Sequence, residues 1–176
     1  MTAAPALAGG VPALSLQYDL RFDLIAEQAH RALLHELAAW PKPGLVSYVD
    51  AGSHHDMDAA MLCRSAEALR PFFAALALAG WRGAGMNQLR EIGMRAEAAM
   101  LSATGGVNTH RGAIFGLGLL SAAAGTIANV SKDGAVSAQG ELGAIVAQRW
   151  GADIRDRKST RLNSSHDELS RMPSSA

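Results

Sequence analysis

Apolar residues recur at helical spacing from Phe22 onward, through Ile25, Ala26, Ala29, Leu33, Leu37 and Trp40. Such a stripe lets one side of a helix be buried. Pro41 and Pro43 stop it, because proline cannot continue the hydrogen-bonded turn. A polar loop over 42–55 follows. A second helix is expected to open near Asp56, where carboxylates suit a helix N-terminus. It carries Leu62, Ala66, Leu69, Phe73 and Leu76, and Pro71 within it predicts a kink or a restart. Residues 80–85 read as a loop. Asn87 is the expected cap of a third helix with the stripe Leu89, Ile92, Gly93, Ala96 and Met100. After a glycine turn, 111–124 is apolar nearly all round, which predicts a helix buried in the middle of a bundle. Gly112, Gly116 and Gly118 would let its neighbours approach. Residues 131–134 read as a turn, and Ser137 as the cap of a last helix to about Trp150. β-branched residues are sparse and no segment alternates with a period of two. The fold class is therefore all-α, a multi-helix bundle around a buried apolar central helix.

The pattern fails at both ends. Residues 1–20 are interrupted by Pro5, Gly9, Gly10 and Pro12. Without a basic start or a clean apolar run they read as a flexible lead, not a signal peptide. Residues 155–176 are rich in Arg, Ser and Asn and offer no core face. The string from Arg157 to His166 also resembles a tail found on unrelated translated sequences, where sequencing-adapter bases were read as coding. The tail is expected to be non-native or disordered, with the frame lost near Asp156, so His166 and Asp167 are left out of any site. The helical domain is then 21–154. The apolar run 112–125 is shorter than the roughly 18 to 20 residues of a membrane span.

Composition narrows the function classes. Apolar residues make up 49% and charged residues 18%, as in a folded globular chain. Sixteen basic and sixteen acidic residues cancel, and no basic stripe supports nucleic-acid binding. The single cysteine, Cys63, excludes an internal disulfide, fits a reducing cytoplasm, and reads as a buried small hydrophobe.

Two segments are dense in chemistry. The first is Thr104-Gly105-Gly106-Val107-Asn108-Thr109-His110-Arg111-Gly112. Paired glycines permit a sharp bend, Asn108 and Thr109 suit a cap, and the following helix start presents free N–H groups to an anion. Arg111 adds a guanidinium fork. The plainer reading is a capped interhelical turn. The second segment runs from Lys42 to Asp58. Lys42, held between two prolines, can meet a phosphate as a point charge. His54, Asp56 and Asp58 can bind Mg²⁺ or Mn²⁺ together with substrate phosphates, or can be a solvated loop with capping aspartates. Asp56 and Asp58 cannot share one helix face, being about 200° apart if both are helical. Glu97 borders the apolar face of the third helix, and Glu36 lies near the exit of the first. Both are candidate acids or bases if buried, and surface glutamates if not. The combination suggests a polyphosphate substrate with a hard metal ion.

These residues carry a family resemblance. The chain resembles triphosphoribosyl-dephospho-CoA synthase through Ala32-Leu33-Leu34-His35-Glu36, Pro41-Lys42-Pro43-Gly44-Leu45-Val46, Gly52-Ser53-His54 and Asp56-Met57-Asp58. Ser65, Leu69, Pro71, Gly93, Ala96-Glu97 and Met100 continue it, as do the run 103–112, Ile114-Phe115 and Gly118-Leu119-Leu120. The resemblance covers about 22–149. It implies an all-helical enzyme that joins ATP to 3′-dephospho-CoA and releases adenine, and the single cysteine makes the expected location cytoplasmic. The product would be the prosthetic-group precursor for an acyl carrier protein. The wording of 47–54 is closer to the malonate-decarboxylase branch than to the citrate-lyase branch, which tends toward asparagine near Asp50 and alanine near Ser53. The family continues beyond this point with further helices, so the resemblance implies an incomplete catalytic domain, truncated at its C-terminal side. Set beside that reaction, the two dense segments are assigned a triphosphate anchor at Lys42, Gly105, Gly106, Asn108, Thr109 and Arg111. Mg²⁺ would sit at His54, Asp56 and Asp58, and a base would be one of Glu97, Glu36 and His110.

Two other readings stand beside this one. His55-Asp56 is the dipeptide of helical metal phosphohydrolases acting on nucleotides, which release phosphate and not adenine. A non-enzymatic helical interaction module is the other.

Overall fold

The computed structural model describes residues 13–128 and 141–169, with side-chain surroundings for 20–128 and 142–156. Its elements are α1 (Ala13–Ala38), α2 (Ala59–Trp81), α3 (Met86–Ala103), α4 (Arg111–Ala128) and α5 (Glu141–Leu169). No strand occurs among the described residues, so the all-α expectation holds. The turn at 131–134 and the cap at Ser137 lie outside the described residues.

The apolar stripes become the core. Ala26, Ala29 and Leu33 of α1 meet Ala66, Leu69 and Phe73 of α2, Ala96 and Met100 of α3, and Ile114 of α4. A second cluster joins Leu76, Ala84, Leu89, Leu119, Ala122 and Ala123 to Trp150 of α5. The indole Nε1 of Trp150 donates to the Ala84 carbonyl at 3.1 Å, so its buried N–H is satisfied. A small third cluster, Leu37, Val46 and Leu62, pins the 39–58 loop to the bundle, with Cys63 half-buried at its edge. Trp40, expected in the first stripe, lies beyond the end of α1 and is 61% exposed, whereas Trp150 is 2% exposed.

α2 and α4 cross more closely than any side-chain stripe predicts. A Cβ on Gly80 would fall 1.9 Å from the Ala122 carbonyl oxygen, and one on Gly125 would fall 1.9 Å from that of Ala77. The two contacts are reciprocal across a parallel pair, whose N-terminal ends meet through Ser65, Thr109 and His110, so backbone packs on backbone there. Gly118 meets Leu76, but Gly112 and Gly116 face open space. The expectation of a centrally buried α4 is thus corrected. Ile114, Gly118, Leu119 and 121–123 are covered, while Phe115 is exposed along with Gly112 and Gly116. By length and composition α4 could cross a membrane, and its packing against α1, α2 and α3 accounts for its apolar character.

Element boundaries differ from the sequence reading in four places. α1 already runs from Ala13, within the stretch read as a lead. α2 continues through Pro71 without a break. Pro71 is on the exposed side, where water can satisfy the carbonyl one turn earlier. α3 starts after Gly85, two residues too early for Asn87 to cap it, and Asn87 accepts from Arg90 instead. The backbone of α5 continues to Leu169, beyond the expected end near Trp150 and into the segment read as tail.

Candidate functional site

The alternating helix directions bring the two chemistry-bearing loops to one end of the bundle. There α1 and α3 end, and α2 and α4 begin. Each loop is shaped by its own sequence. Gly105 and Gly106 take φ of +65° and +93°, values that side chains with a Cβ rarely adopt. The amide of Gly106 reaches back to the Leu101 carbonyl at 2.8 Å. Thr104, buried beneath the turn, holds its hydroxyl between the Met100 and Val107 carbonyls, to either of which it can donate. In the other loop Ser47 closes a turn onto Asp50, and the Asp50 carboxylate accepts from the Gly52 amide. The Trp40–Pro41 bond is cis.

His110 stands at the centre of this end. Its Nδ1 lies 2.7 Å from the Ser65 hydroxyl of α2, and Thr109 donates to that same hydroxyl at 2.7 Å. The backbone N–H of His110 meets the Met100 sulfur. Burial pushes the imidazole pKa below its usual value, and the Glu36 carboxylate partly opposes this. That opposition also marks Glu36 as an electrostatic neighbour of His110. Lys42 binds the Glu36 carboxylate at 2.8 Å and its carbonyl at 2.6 Å, so it also caps the last turn of α1. Arg111 pairs with the Glu97 carboxylate. Asn108 accepts from the Arg111 amide at 3.2 Å, as a cap.

The predicted residues thus fall into two groups. Glu36, Lys42, Asn108, Thr109, His110, Arg111 and Glu97 come together, along with the turn of Gly105 and Gly106. His54, Asp56 and Asp58 do not converge on a point. His54 and Asp56 face each other at 3.6 Å, while Asp58 caps α2 by accepting from the Met61 amide at 2.7 Å. Among the described residues no three His, Cys, Asp or Glu side chains are grouped to hold a metal.

Ser65 contributes to the family resemblance but is given no role at the site by the sequence. The signal was present: a serine on the face of α2 that also carries Leu62, Ala66 and Leu69, now completely buried. His30 was missed in the same way. It is a polar residue on the buried face of α1, 3.0 Å from Glu67 but not in hydrogen-bonding geometry with it.

Comparison with known proteins adds a family. The CitG family model, described as ATP:dephospho-CoA triphosphoribosyl transferase, matches residues 22–170. A probable 2-(5''-triphosphoribosyl)-3'-dephosphocoenzyme-A synthase of Lactiplantibacillus plantarum is 48% identical over 107 residues, 57% of this chain and 38% of that protein. The 2-(5''-triphosphoribosyl)-3'-dephosphocoenzyme-A synthase of Pectobacterium atrosepticum is 44% identical over 117 residues, 62% of this chain and 39% of its own length. A probable synthase of the same name from Vibrio cholerae is 44% identical over 108 residues, covering 34% of that protein. The chain therefore spans between a third and just under half of the length of the curated relatives it matches. No solved structure matches it.

Proposed function

The chain belongs to the ATP:dephospho-CoA triphosphoribosyl transferase family, and from that premise we propose that it takes part in transferring the triphosphoribosyl group of ATP to 3′-dephospho-CoA, with release of adenine. The observation that carries this reading is the convergence at one end of the bundle. Two cations, Lys42 and Arg111, two carboxylates, Glu36 and Glu97, and a neutral buried imidazole, His110, stand around a glycine turn and a helix N-terminus. Such an end suits a polyanion.

In the proposed reaction the bond from the ribose anomeric carbon to adenine breaks, and a hydroxyl of dephospho-CoA takes its place. The anomeric carbon passes through an oxocarbenium-like state, as in glycoside chemistry. The triphosphate does not change its bonds, so it serves to hold the sugar in place. Arg111 and Lys42 meet its oxygens. Gly112 and Ala113, the second and third residues of α4, supply amides with no carbonyl partner inside the helix. Glu36 or Glu97 receives the proton of the attacking hydroxyl and faces the positive charge that develops on the sugar, and that proton ends on the departing adenine, which leaves neutral.

Mg²⁺, or Mn²⁺, belongs to this proposal as a partner of the phosphates. Asp58 is engaged as a cap. The remaining pair, His54 and Asp56, fits such an ion only when phosphate oxygens complete its shell. The metal would neutralise phosphate charge, and Asp56 is the residue to hold it there. Supply of a prosthetic-group precursor to the acyl carrier protein of malonate decarboxylase, and a cytoplasmic location, complete the proposal. The wording of 47–54 and the single cysteine support these two points.

The test compares ATP with adenosine. Losing the Arg111 contact should weaken ATP binding by about tenfold to a hundredfold, the worth of one charge-assisted hydrogen bond. Adenosine lacks phosphates and should be unaffected. Equal weakening of both by Arg111→Ala, with helicity intact, would remove the phosphate role. Product analysis with dephospho-CoA should find adenine, and finding phosphate instead would favour the phosphohydrolase reading that His55-Asp56 raises.

A further inference from the structure

Ser65 has no place in the chemistry above, yet it is fully buried and touches the imidazole at the centre of the site. A serine hydroxyl carries one proton and two acceptor positions. Thr109 donates to the Ser65 oxygen, so one acceptor position is filled. The proton of Ser65 needs a partner of its own in so dry a place. Nδ1 of His110, at 2.7 Å, is the acceptor the structure offers. The chain of donation therefore runs from Thr109 to Ser65 to Nδ1. A neutral imidazole that accepts at Nδ1 holds its proton at Nε2.

We propose that Ser65, itself held by Thr109, is a positioning residue that fixes His110 as the Nε2–H tautomer, so that His110 donates a neutral hydrogen bond to a phosphate oxygen of the bound triphosphate. This rests on reading the glycine turn as the phosphate anchor. His110 then is a donor at the site, and the base for the incoming hydroxyl falls to Glu36 or Glu97. Burial favours the uncharged ring. The charged groups around it are Glu36 from α1 with its partner Lys42, and the Arg111–Glu97 pair that joins α4 to α3. Each of these carboxylates is paired with a cation, which leaves Ser65 as the direct hydrogen-bond partner of the ring.

Long-range ¹H–¹⁵N spectra of histidine-labelled protein read the tautomer directly, with His110→Gln assigning the signal. The wild-type ring should show a protonated Nε2 and a bare Nδ1, and inorganic tripolyphosphate should move the Nε2 resonance. Ser65→Ala and Thr109→Val should each mix the tautomers and weaken tripolyphosphate roughly three- to tenfold, the range for one neutral hydrogen bond. Thr109→Ser keeps the hydroxyl and should restore both. Thr109 is only half-buried, so its variants report even if Ser65→Ala does not fold. A proton found on Nδ1, or a single Nε2–H tautomer surviving in the valine variant, would overturn the proposal. Tripolyphosphate that binds without moving Nε2 would overturn the donor role alone. Failure of tripolyphosphate to bind, with the tautomer as stated, would overturn that role together with the phosphate anchor.

Discussion

Asp56 and Asp58 are two residues apart and do different work, and one kind of substitution separates them. Asparagine caps a helix about as well as aspartate. Asp58→Asn should leave the melting temperature nearly unchanged, while Asp58→Ala should cost about 1 kcal/mol of stability by urea unfolding. Asp56→Asn leaves that cap in place and removes a charge from the position facing His54. It should weaken the Mg²⁺ dependence of ATP binding, seen by calorimetry with and without the ion, and an unchanged dependence would take Asp56 out of the metal role. His110 makes a pH-dependent contribution whose sign is fixed by burial. Its folded pKa lies below the usual 6.5, so the unfolded chain binds a proton there that the folded chain does not. The stability it contributes is complete above 6.5 and is lost as the pH falls below it. Melting temperature should drop less steeply on acidification in His110→Gln than in the wild type. Glu36→Gln removes the charge that favours the imidazolium, and should lower the His110 titration midpoint further by NMR.

The α2–α4 pair depends on two glycines that no stripe singles out. Alanine at Gly80 or Gly125 would drive a methyl into the backbone of the facing helix. Each change should cost on the order of 3 kcal/mol or more in chemical denaturation, at or above the upper end for overpacking. Gly116→Ala is the control. It faces open space, and alanine is the better helix former by about 1 kcal/mol, so that variant should be more stable. Here lies the difference between what the chain discloses and what it does not. The helices and their buried faces were legible because period 3.6 is a property of one segment at a time, as in Leu62, Ala66, Leu69 and Phe73. The crossing at Gly80 and Gly125 is a property of two segments and their relative register, so it was invisible, and Gly112 and Gly116 were picked in its place. In the site, the glycine turn could be read because positive φ demands glycine locally. The Thr109–Ser65–His110 chain could not, since it joins residues 44 and 45 positions apart. Asp58 was placed with the metal donors because a capping carboxylate and a ligating one look alike in sequence.

For the molecule as a whole, α5 is the element that closes the second cluster. Its described contacts with that core run from Leu142 through Ile145, Val146 and Trp150 to Ile154. Residues 157–176 carry no core-facing apolar period, so removing them should leave the melting temperature nearly unchanged, and a large loss would show that the segment packs. Trp150→Ala should cost about 3 to 5 kcal/mol by urea unfolding, as for other buried aromatic truncations. The two ends of the bundle differ in another respect. Trp40 stands in solvent two positions before Lys42, while Trp150 is sealed in the core against Ala84. With the third tryptophan, Trp81, half-buried beside Phe22, replaced by phenylalanine, their emission is separable by wavelength and by access to iodide. An anion settling among the loops changes the red, quenchable component, and loosening of the bundle changes the blue one. Occupancy and integrity can thus be followed at the same time, in one cuvette, without any attached dye.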